Sequence, residues 1–125
     1  MAEETVLRTV WLEFGKDKIL RMKILEGTRI DLSLAKIINE NIRRHAAGGK
    51  IAVMIDARAS YSWDKDAQKY MAENSESRSA TAVITNNPIT RILSNTYVKI
   101  FKPSYPVKLF SDEKEAENWL SNGGK

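Results

Sequence analysis

The chain has 125 residues, of which 42% are hydrophobic and 29% charged, a composition that suits one globular domain and argues against general disorder. It contains no cysteine, which excludes disulfides, thiolate nucleophiles and cysteine-based zinc sites, and its formal net charge of +4 is too mild to indicate a dedicated nucleic-acid binder. Because the first residues lack the pattern of a signal peptide and no apolar run approaches the roughly 20 residues that span a bilayer, we expect a cytoplasmic protein without membrane insertion.

The first half of the chain changes from period-two to helical patterning. Residues 6–14 alternate, residues 19–25 alternate again, and a glycine-containing turn separates them, so the sequence predicts an antiparallel hairpin of two strands. Across 31–46, apolar residues recur at spacings of three and four, which predicts a helix with Asp31 as its N-cap and a Gly-Gly pair after its last turn.

The second half alternates buried strands and helices. A continuous apolar run at 51–55 predicts a central strand, because a strand buried on both faces needs no polar alternation. The later predicted elements are a helix from Ser62 or Asp64 to about residue 75, a strand at 81–85, a helix from Pro88 to about residue 102, a strand at 107–110 and a final helix capped by Ser111.

The order of these elements, β-β-α-β-α-β-α-β-α, predicts the architecture. Strands alternating with helices imply an α/β fold with a mixed, mostly parallel sheet of about four or five strands, an N-terminal hairpin and about four helices. The chain shows no linker, repeat or low-complexity segment, so we expect a single domain over residues 1–125 with loose termini at 1–5 and 121–125.

Three segments have a distinctive composition in a distinctive order. They are KIAVMIDAR at 50–58, ATAVITNNPITRIL at 80–93 and VKLFSDEKEAENWL at 107–120. Together with the preceding hairpin and helix, they resemble the SpoIIAA-like branch of the STAS superfamily over nearly the whole chain. The resemblance implies a SpoIIAA-like sandwich with helices mainly on one side of the sheet, a bacterial regulatory or protein-interaction role, and no catalysis.

The resemblance also implies a possible phosphorylation switch. In signalling members of that superfamily, a partner kinase phosphorylates a serine at the N-terminus of the helix after the central strand, where free backbone N–H groups and the helix dipole favour a phosphate. The family pattern places an aspartate and then this serine at Asp64 and Lys65, so the acid matches and the acceptor does not. A switch in this chain would need Ser60 or Ser62 instead.

The loop after the central strand is the first candidate site, because ligands gather at the carboxyl ends of strands in open α/β sheets. The candidate residues are Asp56, Arg58, Ser60, Tyr61, Ser62, Trp63, Asp64 and Lys65. A cation and two aromatic side chains suit the surface of a protein interface. In the alternative, structural interpretation, Trp63 folds back over the core and Arg58 pairs with Asp56 or Asp64.

The second candidate is the stretch 77–111, which contains basic residues but no Asp or Glu. Asn87, Arg91, Lys99 and Lys102 are the residues that would bind an anionic partner, near the free N–H groups of a helix start. No glycine-rich phosphate loop or RNA-binding aromatic sequence accompanies them, so a solvated basic face is the simpler interpretation and specific nucleic-acid binding is not expected.

The residues that remain do not indicate a metal, a cofactor or a catalytic group. His45 is the only histidine, it lies in the last turn of the predicted helix 31–46, and the sequence contains no nucleophile-elbow motif. The leading hypothesis is a non-enzymatic STAS-like module with a protein partner, and the alternative is a carrier of a small apolar ligand or lipid. The outer face of the hairpin, with Trp11 and Leu7, offers a surface for a homodimer.

Overall fold

A computed structural model describes residues 3–7, 10–59, 61–88, 91, 92, 95, 99 and 104–125, and of residues 3–7 the backbone only. The strands are β1 (Glu3–Leu7), β2 (Val10–Phe14), β3 (Ile19–Ile24), β4 (Thr28–Ile30), β5 (Ile51–Asp56), β6 (Tyr61–Trp63), β7 (Arg78–Ile84) and β8 (Val107–Phe110). The helices are α1 (Leu32–Ala46), α2 (Lys65–Glu73) and α3 (Glu113–Ser121). Pro88, Arg91, Ile92, Asn95 and Lys99 are also helical, and the rest of the helix predicted to about residue 102 lies outside the described residues.

The N-terminal hairpin is confirmed, and an additional strand precedes it. β2 and β3 pair antiparallel, with Leu12 opposite Met22. The run 6–14, which the alternation predicts as one strand, contains the end of β1 and all of β2, and these pair antiparallel with Leu7 opposite Val10. Period-two alternation does not reveal where a chain reverses, and the two residues between these strands, Arg8 and Thr9, are not among the common turn formers.

The predicted mixed, mostly parallel sheet is confirmed in its architecture. The main sheet has six strands in the order β1-β2-β3-β5-β7-β8, and the three pairings from β3 to β8 are parallel. The apolar strand β5 lies between β3 and β7, as its continuous apolar run predicts. β4 and β6 form a separate two-stranded parallel sheet that was not predicted, since strands of three residues are too short to show a period.

Helices cover both faces of the main sheet. Side chains alternate along β5, so Val53 belongs to the core beneath α1 and α2 and Met54 to the core beneath α3. The resemblance implies helices mainly on one side, and among the described helices α3 is the exception. β8 is the edge strand, so no later strand remains for a crossover, and α3 instead lays Ala116 and Leu120 over the small residues of β7.

The helix ends follow the expected capping chemistry, with one change. The carboxylate of Asp31 accepts a hydrogen bond from the backbone N–H of Leu34 at 2.8 Å and caps α1 as predicted. The cap of α3 is Asp112 rather than Ser111, because the Asp112 side chain accepts from the N–H of Lys114 at 3.3 Å. None of the helices within the described part of the chain has the length and apolarity needed to cross a bilayer.

Candidate interaction site

The first candidate site lies where the parallel strands end, which we call the carboxyl edge of the sheet. β3, β5, β7 and β8 follow one another in the sheet in chain order, without any reversal of direction. The ligand crevice typical of open α/β sheets forms where the strand order reverses, because neighbouring connections then separate to opposite faces. Among the described strands that condition is not met, so the carboxyl edge is a surface rather than a crevice.

Asp56 and Arg58 form a fork directly after β5. Arg58 Nε donates to Asp56 Oδ1 at 2.9 Å and Nη2 donates to Oδ2 at 2.8 Å. Between them the buried Ala57 donates its N–H to the carbonyl of Ile84 at 2.8 Å, which fixes the backbone of the fork to the neighbouring strand. Hydrogen bonding from Arg58 lowers the pKa of Asp56, although partial burial opposes that shift. The structural interpretation of Arg58, a pair with Asp56, is confirmed.

Tyr61 and Trp63 follow as the ends of β6. Both rings are half-buried and pack against the core beneath α1 and α2, so the prediction that Trp63 folds back over the core is also confirmed. Burial raises the pKa of the Tyr61 hydroxyl, and a hydrogen bond with the Trp63 side chain partly offsets that increase. Ser62 points away from the core and is exposed between them, while Ser60 lies outside the described residues.

A second fork joins β4 to the start of α2. Arg29 Nε donates to Asp64 Oδ1 at 3.0 Å and Nη2 donates to Oδ2 at 2.8 Å. Asp64 occupies the N-cap position of α2, yet its side chain makes no capping hydrogen bond, since both carboxylate oxygens accept from Arg29. Lys65 is exposed and is the first residue of α2, so a lysine stands at the helix start where the family pattern has its acceptor serine.

Arg29 is the residue at this site that the sequence did not indicate. It lies 35 positions before Asp64, and the parallel pairing of β4 with β6 brings it opposite Ser62. We call Arg29, Asp56, Arg58, Ser62 and Asp64 together the fork surface. The side chains of Arg29 and Arg58 are 72% and 45% exposed despite their ion pairs.

The chemistry of the fork surface suits contact with another molecule. Each carboxylate already accepts hydrogen bonds from an arginine, so neither is poised to accept a substrate proton. Within the described ranges no group of three or more His, Asp or Glu side chains is arranged to hold a metal ion. What remains available to a partner is the exposed side of two oriented guanidinium groups and the hydroxyl of Ser62.

The described residues of the second candidate site all lie at the surface. Asn87, Arg91 and Lys99 are exposed, as a solvated basic face requires, and Lys102 lies outside the described residues. Asn87 accepts a hydrogen bond at its carbonyl from the N–H of Arg91 at 3.1 Å, in keeping with a helix start at Pro88. Arg78 belongs to the same acid-free stretch but is buried, a difference that the sequence did not indicate.

The outer face of the hairpin, the candidate dimer surface, is mostly charged. Trp11 is half-buried and stands opposite Lys23, and Glu13 stands opposite Arg21. Arg21 also pairs with Glu117 of α3, which ties this face to the C-terminal helix. The side chain of Leu7 lies outside the described residues.

Comparison with known proteins agrees with this fold. The model of a family described as "Domain of unknown function (DUF7793)" matches residues 10–123, whereas no curated protein matches. Among solved structures, the chain is similar to an uncharacterised DUF3478-family protein with a SpoIIAA-like fold from Shewanella loihica PV-4. The TM-score is 0.63 and the sequence identity 13%, and the match covers 96% of this chain and 92% of that one. A protein of unknown function from Arthrobacter sp. FB24 also matches, at 22% identity over 87% of this chain and 90% of that one, with a TM-score of 0.31.

The likeness to the Shewanella protein confirms the SpoIIAA-like architecture inferred from the three sequence segments. At 13% identity, the likeness to the Shewanella protein concerns the fold alone. The family match spans the chain from β2 to the end of α3. The chain therefore belongs to the DUF7793 family and has a SpoIIAA-like fold.

Proposed function

We propose that this chain is a non-enzymatic interaction module that docks a protein partner on the fork surface. The observation that supports the proposal most strongly is that two arginines are held in bidentate ion pairs while 72% and 45% of their side chains stay exposed. An arginine that is already ordered loses less conformational entropy when a partner binds, and arginine is enriched among the residues that dominate binding energy.

The position of the fork surface also supports this proposal. The backbone at each fork is hydrogen-bonded to a neighbouring strand. The N–H of Ala57 donates to the carbonyl of Ile84 in β7, and the N–H of Asp64 donates to the carbonyl of Ile30 in β4 at 3.0 Å. A surface held by backbone hydrogen bonds to the sheet changes little when a partner binds, which favours specific docking. The charges at this surface alternate in sign, so we expect a partner with complementary charges of both signs rather than a polyanion.

The chemistry of the residues concerned supports a non-enzymatic role. His45, the only histidine, ends α1 and stacks on Phe14 with ring centroids 4.6 Å apart. α1 begins at the carboxyl edge and ends at the opposite edge, so this imidazole is remote from the serine and the carboxylates of the fork surface. General acid–base catalysis needs a titratable group within hydrogen-bonding reach of the reacting atoms.

Photo-crosslinking in cells tests the proposal directly. A benzophenone amino acid placed at the exposed Ser62 is expected to capture a defined protein, and the same amino acid at the exposed Lys50, before β5, serves as the control. The variant Arg29→Ala/Arg58→Ala should abolish capture, whereas Arg43→Ala, which removes an exposed ion pair with Glu76, should leave it intact. Equal capture from both positions, or capture that survives the double substitution, would reject docking at the fork surface.

Native mass spectrometry of the purified chain separates this proposal from the alternative of a small-ligand carrier. A carrier of an apolar ligand is expected to co-purify with a bound molecule, so the mass of the folded protein would exceed that of the polypeptide. An interaction module is expected to show the polypeptide mass or an integral multiple of it. The same spectrum reports whether the chain forms a homodimer.

A further inference from the structure

Arg78 is a buried cation at the start of β7, only 5% exposed. Its Nη1 donates to the hydroxyl of Tyr105 at 2.8 Å, and its Nη2 approaches the sulfur of Met71 at 3.6 Å. The guanidinium carbon stands 5.4 Å from the centre of the Tyr105 ring. Among the residues that the structure describes, none forms a hydrogen bond with its Nε, although this atom is fully buried. Because arginine stays protonated in proteins, this site carries a permanent positive charge.

Among the described residues, no acidic side chain forms an ion pair or hydrogen bond with this buried guanidinium, and Glu76 interacts with it only at longer range. The sequence contains no Asp or Glu between Glu76 and Asp112. Glu76 is exposed and pairs with Arg43 at 2.9 Å. The backbone of β1 lies four strand spacings from that of β7 in the main sheet, a distance of about 19 Å.

A local irregularity in β7 directs Arg78 toward the face covered by α1 and α2. Ile51 pairs with Arg78, but the next residue of β5 pairs with Ala80, so Ser79 is an extra residue in β7. In a regular strand Arg78 would share the face of Ala80, beneath α3. The extra residue places it instead on the face of Ile51 and Met71, which belong to the other core. Such bulges re-aim side chains and occur often beside functional sites.

Further hydrogen-bonding groups lie on the same face. Thr81 is buried two residues beyond Ser79 in β7, and within the described part of the chain its hydroxyl has no hydrogen-bond partner. Ser75 is buried at the end of α2, and its Oγ lies 3.3 Å from the Oγ of Ser104, which is exposed. Ser104 directly precedes Tyr105, so an exposed residue adjoins the Arg78 cluster along the chain. Buried hydrogen-bond donors without an acceptor are rare in native structures, so each of these groups is a candidate to bind an acceptor atom of a ligand.

We infer that Arg78 anchors the oxyanion of a small ligand, a carboxylate or a phosphate, within the α1/α2 face at the beginning of β7. The planar guanidinium matches such a group geometrically, and Nε offers an unused donor toward it. The ligand would supply the negative charge that the acid-free stretch lacks. The site lies at the opposite edge of the sheet from the fork surface, so it is independent of the proposed docking function.

Thermal unfolding of the full chain, followed by tryptophan fluorescence, tests this inference. The probes are sodium phosphate and sodium octanoate, each compared with sodium chloride at equal ionic strength. If phosphate binds with a Kd of about 1 mM, 10 mM phosphate should raise the unfolding midpoint by about 5 °C. Arg78→Met should lose this shift, because it removes the charge and the N–H donors while keeping an unbranched apolar side chain at the position. Arg91→Met removes an exposed charge of the same acid-free stretch and should retain the shift.

A second measurement does not depend on whether the variant folds. In a ¹H–¹⁵N spectrum of the wild-type chain, the Nε–Hε signal of Arg78 should move when the oxyanion binds, because Nε gains an acceptor. A response to phosphate alone indicates a phosphate ligand, and a stronger response to octanoate indicates a carboxylate head group with an apolar tail. If neither probe moves this signal or raises the midpoint above that in chloride, or if Arg78→Met responds like the wild type, the inference is wrong.

Discussion

Replacing Arg78 by methionine should make the empty protein more stable, although the side chain is almost fully buried. Burying one unpaired ion costs several kcal/mol even after the protein relaxes. The structure offsets this with one hydrogen bond from the guanidinium to Tyr105 and one cation–π contact, together worth about 3–4 kcal/mol. Methionine keeps most of the packing volume without the charge, so we expect the free energy of unfolding to rise by about 1–2 kcal/mol.

The assay is urea unfolding of protein that has been refolded and dialysed to remove any bound anion. The dependence on urea should stay the same while the midpoint moves up, since a surface of similar size is exposed on unfolding. Arg43→Met is the matched control: that arginine is 52% exposed and paired with Glu76, so its loss should change stability by at most about 1 kcal/mol. A loss of more than about 1 kcal/mol in Arg78→Met would show that the guanidinium is a net structural element and would refute the reasoning.

Three further outcomes follow from the core and from the fork surface. Ile38→Ala, at a fully buried position of α1, should lower the free energy of unfolding by about 3–4 kcal/mol in the same urea titration, and a loss below about 1 kcal/mol would contradict the assigned packing. Because the pKa of Asp56 is lowered in the folded protein, its ion pair with Arg58 adds stability above the ordinary carboxyl pKa, and this stability is lost as the pH falls through the folded value. The stability deficit of Arg58→Met should therefore shrink in acid. A deficit that is constant with pH would exclude this linkage. Burial raises the pKa of Tyr61, so its contribution to stability is complete below the ordinary tyrosine pKa and is lost as the pH rises through the folded value. Absorbance at alkaline pH should therefore show a late titration step that Tyr61→Phe removes, and a spectrum unchanged by this substitution would contradict the burial of the hydroxyl.

The two proposed sites occupy opposite edges of the sheet, and this separation has a physical basis. The carboxyl edge bears the fork surface, where charged side chains are paired and exposed. The opposite edge bears Arg78, where a charge is buried without an ionic partner in the described chain. A surface with paired charges is stable without a ligand and suits a partner that comes and goes, whereas a buried unpaired charge is stabilised by an occupant.

The sequence determined the order of the longer strands and helices because local patterns report local burial. The run at 51–55 is apolar on both faces, so it predicts the central strand that β5 is. The alternation around the first glycine predicts the β2–β3 hairpin, and Asp31 predicts the start of α1. The composition of the stretch 77–111 likewise established that no carboxylate from it could neutralise Arg78.

Tertiary structure alone decided which side chains meet and which face they occupy. Arg29 and Asp64 form a fork across 35 positions, because two three-residue strands without any sequence signal pair with each other. One extra residue in β7 decides that Arg78 is directed toward Met71 rather than α3. Pairing register is a property of two segments at once, and a pattern along one segment cannot report it.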